Sequence, residues 1–378
     1  MNMPPYREIV AAVTRSKGAP FLLEPARLRA PVDDEVLVRI VAAGMCHTDL
    51  IIRDQYYPVP LPAVLGHEGA GVVEAVGPGV RSLVPGDHVV LSYGHCGHCL
   101  TCAAGRTSYC ADFYAQNFGG GGQDGRGAIT APDGTPIHDH FFSQSSFATF
   151  ALSRERSAVK VPRHAPLQLL GPLGCGIQTG AGAVIHSLKV TPGSRFLVLG
   201  AGAVGMSAVL AARLAGAATI IALDIVPGRL ALAREIGATH ALNSRDSGWV
   251  DAVRAITGGG VDFALESTGR PEILAQGVSA LAPLGVLGVV GASPLGTKAG
   301  FDLNELMIAG KRIQGICEGD SVPLRFIPEL VELHLQGRFA FDKLVTFYPF
   351  NDINRAAADS EAGTALKPIL LMDSAAEL

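Results

Sequence analysis

Four cysteines fall within fifteen residues, Cys96-x2-Cys99-x2-Cys102-x7-Cys110. Four thiolates at this spacing suit closed tetrahedral ligation of a structural Zn²⁺. The first three also match an iron–sulfur run, whose fourth cysteine comes after three residues and precedes Pro. Here the gap is seven residues and Ala111 follows, so zinc is the preferred reading, with iron–sulfur or free thiols as alternatives. A lobe this poor in apolar residues is expected to unfold on metal loss before the rest of its domain. His95 and His98 lie inside it and are expected to be exposed neighbours of the metal.

Three cysteines remain, and an odd total of seven argues against a disulfide framework. Cys46 sits in Gly44-Met45-Cys46-His47-Thr48-Asp49, Cys175 in Gly174-Cys175-Gly176, and Cys317 stands alone. His67 lies in Gly66-His67-Glu68-Gly69-Ala70-Gly71. Two thiolates and one imidazole would make a zinc site with one open position, the arrangement of catalytic zinc. Taken singly, each cysteine reads equally well as a small core residue and the histidine as a satisfied one, so spacing leaves this trio open.

A second chemistry is written in Gly200-Ala201-Gly202-Ala203-Val204-Gly205, which follows the apolar run Phe196–Leu199 and opens a helix expected over 204–215. In such a turn Gly200 permits the tight bend, Gly202 lets backbone approach a pyrophosphate, and Gly205 lets helix and strand pack closely. The helix N-terminus then offers free N–H groups to phosphate. Asp224 ends the next strand, 19 residues after Gly205. A carboxylate there accepts from ribose hydroxyls and repels a 2′-phosphate, so NAD is expected over NADP. Arg229 tempers that preference, because a nearby cation tolerates a phosphate.

These residues need two kinds of scaffold. From Thr191 to Gly315, strand-length runs at 195–199, 219–223, 240–243, 261–266, 285–290 and 312–316 alternate with helical stretches, the pattern of βαβ units on a parallel sheet. The first 176 residues carry short strands (35–41, 71–76, 87–92) cut by Gly-Pro pairs, as in a twisted β-rich domain. The tail reads as one helix (328–336), a strand-like run (343–347) and a last strand (368–372), too short to bury its own core. It is expected to return to the first domain, giving a division into 1–176, 177–318 and 319–378. The stretch 119–140, rich in Gly, Asp and Pro, reads as a loop.

Composition excludes several classes. Of 378 residues, 46 are Gly, 48% are hydrophobic, 17% are charged, and the net charge is −4, which is a globular composition. No Lys/Arg run marks a nucleic-acid or anionic-membrane surface. The longest uncharged run, 196–212, is 17 residues and rich in Gly and Ala, so it reads as buried strand, turn and helix and not as a membrane span. Residues 1–10 carry Pro4, Pro5, Arg7 and Glu8, with no signal-peptide pattern, and a cytoplasmic location is expected.

Gly66-His67-Glu68-x2-Gly71-x5-Gly77 resembles the zinc alcohol dehydrogenase signature of the medium-chain dehydrogenase/reductase superfamily. Cys46-His47-Thr48-Asp49, that signature, the four-cysteine lobe, Gly174-Cys175-Gly176 and the Gly200–Gly205 turn fall in the family's order, covering nearly the whole chain. The stretches Met45–Gln55 and Pro60–His67 look most like the aryl- (benzyl-) alcohol dehydrogenases.

The resemblance implies a GroES-like catalytic domain and a Rossmann domain, with NAD and two zinc ions per chain. It implies that Cys46, His67 and Cys175 hold catalytic zinc, that Glu68 sits behind it, and that Asp49 bonds the second ring nitrogen of His67. Thr48 would bond the alcohol oxygen and take its proton, while His47 and Lys367 would meet the pyrophosphate. Thr179, Val204, Val290, Ile316 and Cys317 would line the nicotinamide, and Ser92, Tyr93, Phe141 and Phe142 the substrate. The chain departs from better-known members at Ile51, where they often carry a proton-relaying His. The implied partners are a small alcohol or aldehyde and further copies of the chain, as a homodimer or homotetramer. A primary aryl alcohol is the implied substrate; a geraniol-type allylic or an aliphatic alcohol is the alternative.

Overall fold

The computed structural model describes residues 6–121 and 127–372. Part of the 119–140 loop reading, at 122–126, and the part of the N-terminal reading at 1–5 lie outside the described residues. By its contacts the chain divides into two compact units. One takes the chain up to Cys175, Val322–Leu335 and the chain from Val345 onward; the other takes Gly176–Ser321 and Gln336–Leu344.

The first unit is built on two sheets. In one, Ala63–Val64, Tyr6–Thr14, Leu22–Arg29, Ile129–Thr130 and Pro136–Ile137 lie side by side. In the other the order is Ala158–Val161, His88–Leu91, Glu68–Val76, Glu35–Gly44, Lys367–Leu371 and Val345–Pro349, with Phe150–Arg154 also paired to Glu35–Gly44. Glu35–Gly44 is buried along nearly its whole length, only Arg39 being exposed, because it is a central strand rich in Val, Ile and Ala. The returning tail supplies Lys367–Leu371, which pairs with Ala42, Ala43 and Gly44. That pairing brings the C-terminal strand beside Cys46.

The second unit carries six parallel strands in the order His240–Asn243, Thr219–Asp224, Arg195–Leu199, Val261–Glu266, Leu281–Val289 and Arg312–Gly315. This is the doubly wound order of a Rossmann fold. Its central strand Arg195–Leu199 is an apolar run buried from Phe196 onward, and the neighbouring Val261–Glu266 is buried over its last three residues, as a parallel sheet covered by helices requires. At the first crossover Gly200 has φ +96°, and a Cβ on Gly205 would lie 1.9 Å from the Gly200 carbonyl oxygen. Only glycine permits that turn and that approach of helix to strand.

Four expectations are corrected. Gln336–Leu344 packs with the second unit, anchored by the fully buried Phe339 and Phe341. The tail helix is Pro323–Leu335, with Pro328 inside it, because Phe326 and Ile327 already belong to its buried stripe. A second tail helix, Ile353–Ala362, buries only Ile353 and two alanines, too faint an apolar pattern to read. Within 119–140, Ile129–Thr130 pairs with Pro136–Ile137, and Asp139 and His140 are buried. Among the described residues no helix is long and apolar enough to cross a membrane.

Candidate active site

Asp49 organises the first unit's site. It is the third residue of the helix His47–Arg53, whose cap is Cys46. Its carboxylate accepts from Cys46 N–H at 2.9 Å, Gly66 N–H at 3.1 Å and His67 Nδ1 at 2.8 Å. One buried acid thus joins the Cys46 loop to the His67 turn. With Nδ1 engaged by Asp49, His67 has Nε2 left over, a buried atom without a hydrogen-bond partner. Ligand atoms of Cys46, His67, Glu68 and Cys175 all lie within 4.8 Å of one another. A soft, borderline cation fits this donor set, and the orphaned Nε2 is the lone pair such an ion would use.

Charge gathers at these groups: burial opposes it, but Asp49 and then Cys46 hold His67 well above its usual range. The Cys46 thiol is held well below its usual range by its hydrogen bond with Cys175, against burial, with Lys367 and His67 helping. Glu68 is fully buried and both its oxygens accept from Lys367 Nζ, at 2.8 and 2.9 Å. Burial opposes the charge on Lys367, but Glu68 and then Cys46 outweigh it, so the ammonium persists. Lys367 is 1% exposed, and the expectation of a pyrophosphate contact is corrected. A buried carboxylate needs a buried cation, and Lys367 is that cation.

The remaining residues fall into two groups. Thr48 Oγ1 lies 3.7 Å from Cys46 Sγ, and His47 is exposed at the start of the same helix. The Phe142 ring stacks on His67 at 4.6 Å and Phe141 meets it edge-on at 5.4 Å. Phe118 packs against both. Ser92 and Tyr93 are as buried as Phe141 and Phe142. Ser92 donates to the Gly174 carbonyl, bracing the peptide before Cys175. Tyr93 pairs its hydroxyl with Thr107 and belongs to the base of the cysteine lobe.

In that lobe Cys96, Cys99, Cys102 and Cys110 bring their sulfurs within 4.8 Å. Backbone N–H groups of Cys96 and Cys99 point at Cys110 and Cys96 sulfurs at 3.3 Å, as charge-assisted bonds to thiolates would. Their donor set fits zinc. His95, expected to be exposed, is buried, and burial with Arg156 pushes it down to about 4. His98 is exposed.

The second unit's candidates gather at the C-terminal edge of its sheet, where ligands bind such folds. Asp224 accepts from Ala201 N–H at 2.7 Å and Val226 N–H at 2.9 Å, so it steadies the glycine turn. Arg229 stands 3.9 Å from it. No atom crowds the Cβ direction of Gly202, leaving room for a phosphate beside the helix Ala203–Leu214. Val290 and Ile316 extend their strands, bonded to Glu266 and Val289. Thr179 donates to Glu318 at 3.3 Å, next to Cys317. Burial, then Glu318 and Asp320, keep the Cys317 thiol protonated, which suits a contact residue and not a metal ligand.

The chemistry at these positions is matched by relationship. Residues 32–163 match the alcohol dehydrogenase GroES-like domain and residues 203–334 the zinc-binding dehydrogenase family. The chain belongs to the zinc-dependent alcohol dehydrogenases of the medium-chain dehydrogenase/reductase superfamily. A geraniol dehydrogenase from Castellaniella defragrans is 47% identical over 362 residues, 96% of this chain and 97% of the relative. The crystal structure of benzyl alcohol dehydrogenase from Acinetobacter calcoaceticus is 59% identical with a TM-score of 0.94, covering 97% of this chain and 99% of that one. An alcohol dehydrogenase zinc-binding domain protein from Burkholderia ambifaria reaches 68% and 0.96 over the same shares.

Proposed function

We propose that this alcohol dehydrogenase oxidises primary aryl alcohols of the benzyl type to aldehydes with NAD, reversibly, using one catalytic and one structural zinc. The observation that carries the substrate class is the aromatic cluster of Phe141, Phe142 and Phe118 against His67. Ring-to-ring contacts add roughly 0.5–1.5 kcal/mol beyond area burial, so an aryl group entering beside Phe142 gains what an aliphatic chain does not. The 59% identity to a benzyl alcohol dehydrogenase supports this reading. The 47% identity to a geraniol dehydrogenase favours the allylic alternative.

When bound, zinc supplies the acidity that an alcohol lacks in water, and NAD accepts the hydride. The protein's share is positioning and proton handling. Cys46, His67 and Cys175 would hold the catalytic ion and the four-cysteine lobe the structural one. Asp49 keeps His67 in the tautomer that frees Nε2, and Thr48 Oγ1 is the group that takes the alcohol proton. Ile51 cannot pass that proton on, so the route to solvent runs through water or the exposed His47. In the second unit, Asp224 favours the ribose hydroxyls of NAD over a 2′-phosphate.

Steady-state kcat/KM for benzyl alcohol, cinnamyl alcohol, geraniol and ethanol, each with NAD and NADP, tests the proposal. Benzyl alcohol with NAD is expected to lead, and ethanol to trail by at least tenfold. A lead for geraniol would transfer the assignment to the allylic class, and a lead for NADP would overturn the role given to Asp224.

A further inference from the structure

We propose that Gln144 is a positioning residue: its side-chain amide stands in for a missing neighbouring strand and fixes the backbone that carries His67 and Glu68. The strand Glu68–Val76 is paired on one side with Glu35–Gly44 down to its first residue, Glu68 opposite Gly44. On the other side His88–Leu91 pairs with Val72, Gly71 and Ala70 and goes no further. Beyond that point the buried His67 carbonyl and Gly69 N–H need partners from elsewhere.

Gln144 supplies both. Its Nε2 donates to the His67 carbonyl at 2.9 Å, and its Oε1 accepts from Gly69 N–H at 2.9 Å. Residues 67 and 69 share one side of the strand, so a single planar amide, with donor and acceptor side by side, meets both. Gly69 is bare for this reason: a Cβ there would lie 2.7 Å from Ser146 Cβ and 3.0 Å from Gln144 Oε1.

The segment that presents Gln144 is held in an unusual conformation. His140, Phe142, Ser143 and Ser145 all have positive φ, between +51° and +60°. Non-glycine residues persist there only where the surroundings over-determine them, and such residues cluster at functional sites. Ser145 Oγ donates to the Val64 carbonyl at 2.7 Å and accepts from Phe141 N–H at 3.0 Å. Ser146 and Phe147 N–H groups bond the carbonyls of Gly66 and Leu65 at 2.8 and 3.0 Å. Chain 141–147 therefore runs along 64–67 and delivers Gln144 just past it. Asp49 and Phe142 fix the rotation of the His67 ring, whereas Gln144 fixes where its backbone stands.

The inference rests on Cys46, His67 and Cys175 being a metal-ligand set, and the experiment separates the two. Zinc-loaded wild type and Gln144→Met, which keeps volume and loses both hydrogen bonds, are titrated with a competing chelator while released zinc is counted per chain. The His67 site is expected to weaken about 10–100-fold, with the cysteine-lobe site unchanged and the circular dichroism preserved. Gln144→Glu, which keeps the acceptor for Gly69 but turns an oxygen on the His67 carbonyl where the amide donated, is expected to weaken the His67 site at least as much, and it is read alone if the Met variant does not fold. Unchanged affinity at the His67 site, or equal weakening of both sites, overturns the proposal. A wild type holding only one ion overturns the ligand set, and the Gln144 role with it.

Discussion

Thr48 places its hydroxyl 3.7 Å from Cys46 Sγ, the position from which the proposed proton transfer would start, and general acid–base groups contribute typically 10²–10⁴-fold. Thr48→Ala should lower kcat/KM by about 100-fold or more, while Thr48→Ser, which keeps the hydroxyl, should stay within about tenfold of wild type. Steady-state kinetics of the two variants, with zinc content measured alongside, checks this; equal activity of Ala and Ser would remove Thr48 from the reaction. The four-cysteine lobe was legible from type and spacing, whereas Cys46, His67 and Cys175, scattered over 130 residues, were left open by spacing and were implied only by the family resemblance. Lys367 was singled out only through the resemblance, as a pyrophosphate contact, and here it binds Glu68. Its anion, Glu68, lies 299 residues away, and no local pattern records such a pairing.

Among elements, the segment around 139–147 owes its order to a buried charge cluster. Asp139 accepts from Ala128 and Ile129 N–H and contacts His140 Nδ1, while His140 Nε2 lies 3.9 Å from Glu35, itself bound by Arg29. Burial disfavours the charge on His140, but Asp139 and Glu35 outweigh it and hold its pKa at about 9. Burial likewise opposes the Glu35 carboxylate, yet Arg29 and His140 bring it to about 2. A raised His stabilises fully below its usual 6.5 and ceases to as pH climbs through 9. A lowered Glu stabilises above its usual 4.5 and ceases to as pH falls through 2. Thermal unfolding should therefore show wild type losing on the order of 3 kcal/mol between pH 6.5 and 9. His140→Gln should lack that loss, and parallel curves would contradict it. Only its first two residues, Asp139 and His140, fell in the 119–140 stretch read as a loop from its Gly, Asp and Pro content; the order of the element comes from contacts with Glu35 and with residues 64–69.

For the molecule as a whole, the second unit exposes large apolar side chains in one region: Leu284 at 72%, Leu303 at 72%, Met307 at 69% and Ile308 at 80%. Leu284 N–H bonds the Ala309 carbonyl, so strand and helix present these residues together. Monomers rarely leave such a patch uncovered, and self-association is the proposed cover. Ile308→Asp should at least halve the sedimentation mass at micromolar concentration, and an unchanged mass would place the interface elsewhere. What the sequence alone determined is short-range: the four-cysteine lobe, the glycine turn and its acid, and the βαβ alternation, all set by spacing over a few residues to a few dozen. Tertiary structure alone decided which buried charges and backbone groups find each other, Glu68 with Lys367 and Gln144 with His67 and Gly69. The reason is physical: a buried polar group must be satisfied, but any segment the fold brings within reach can satisfy it.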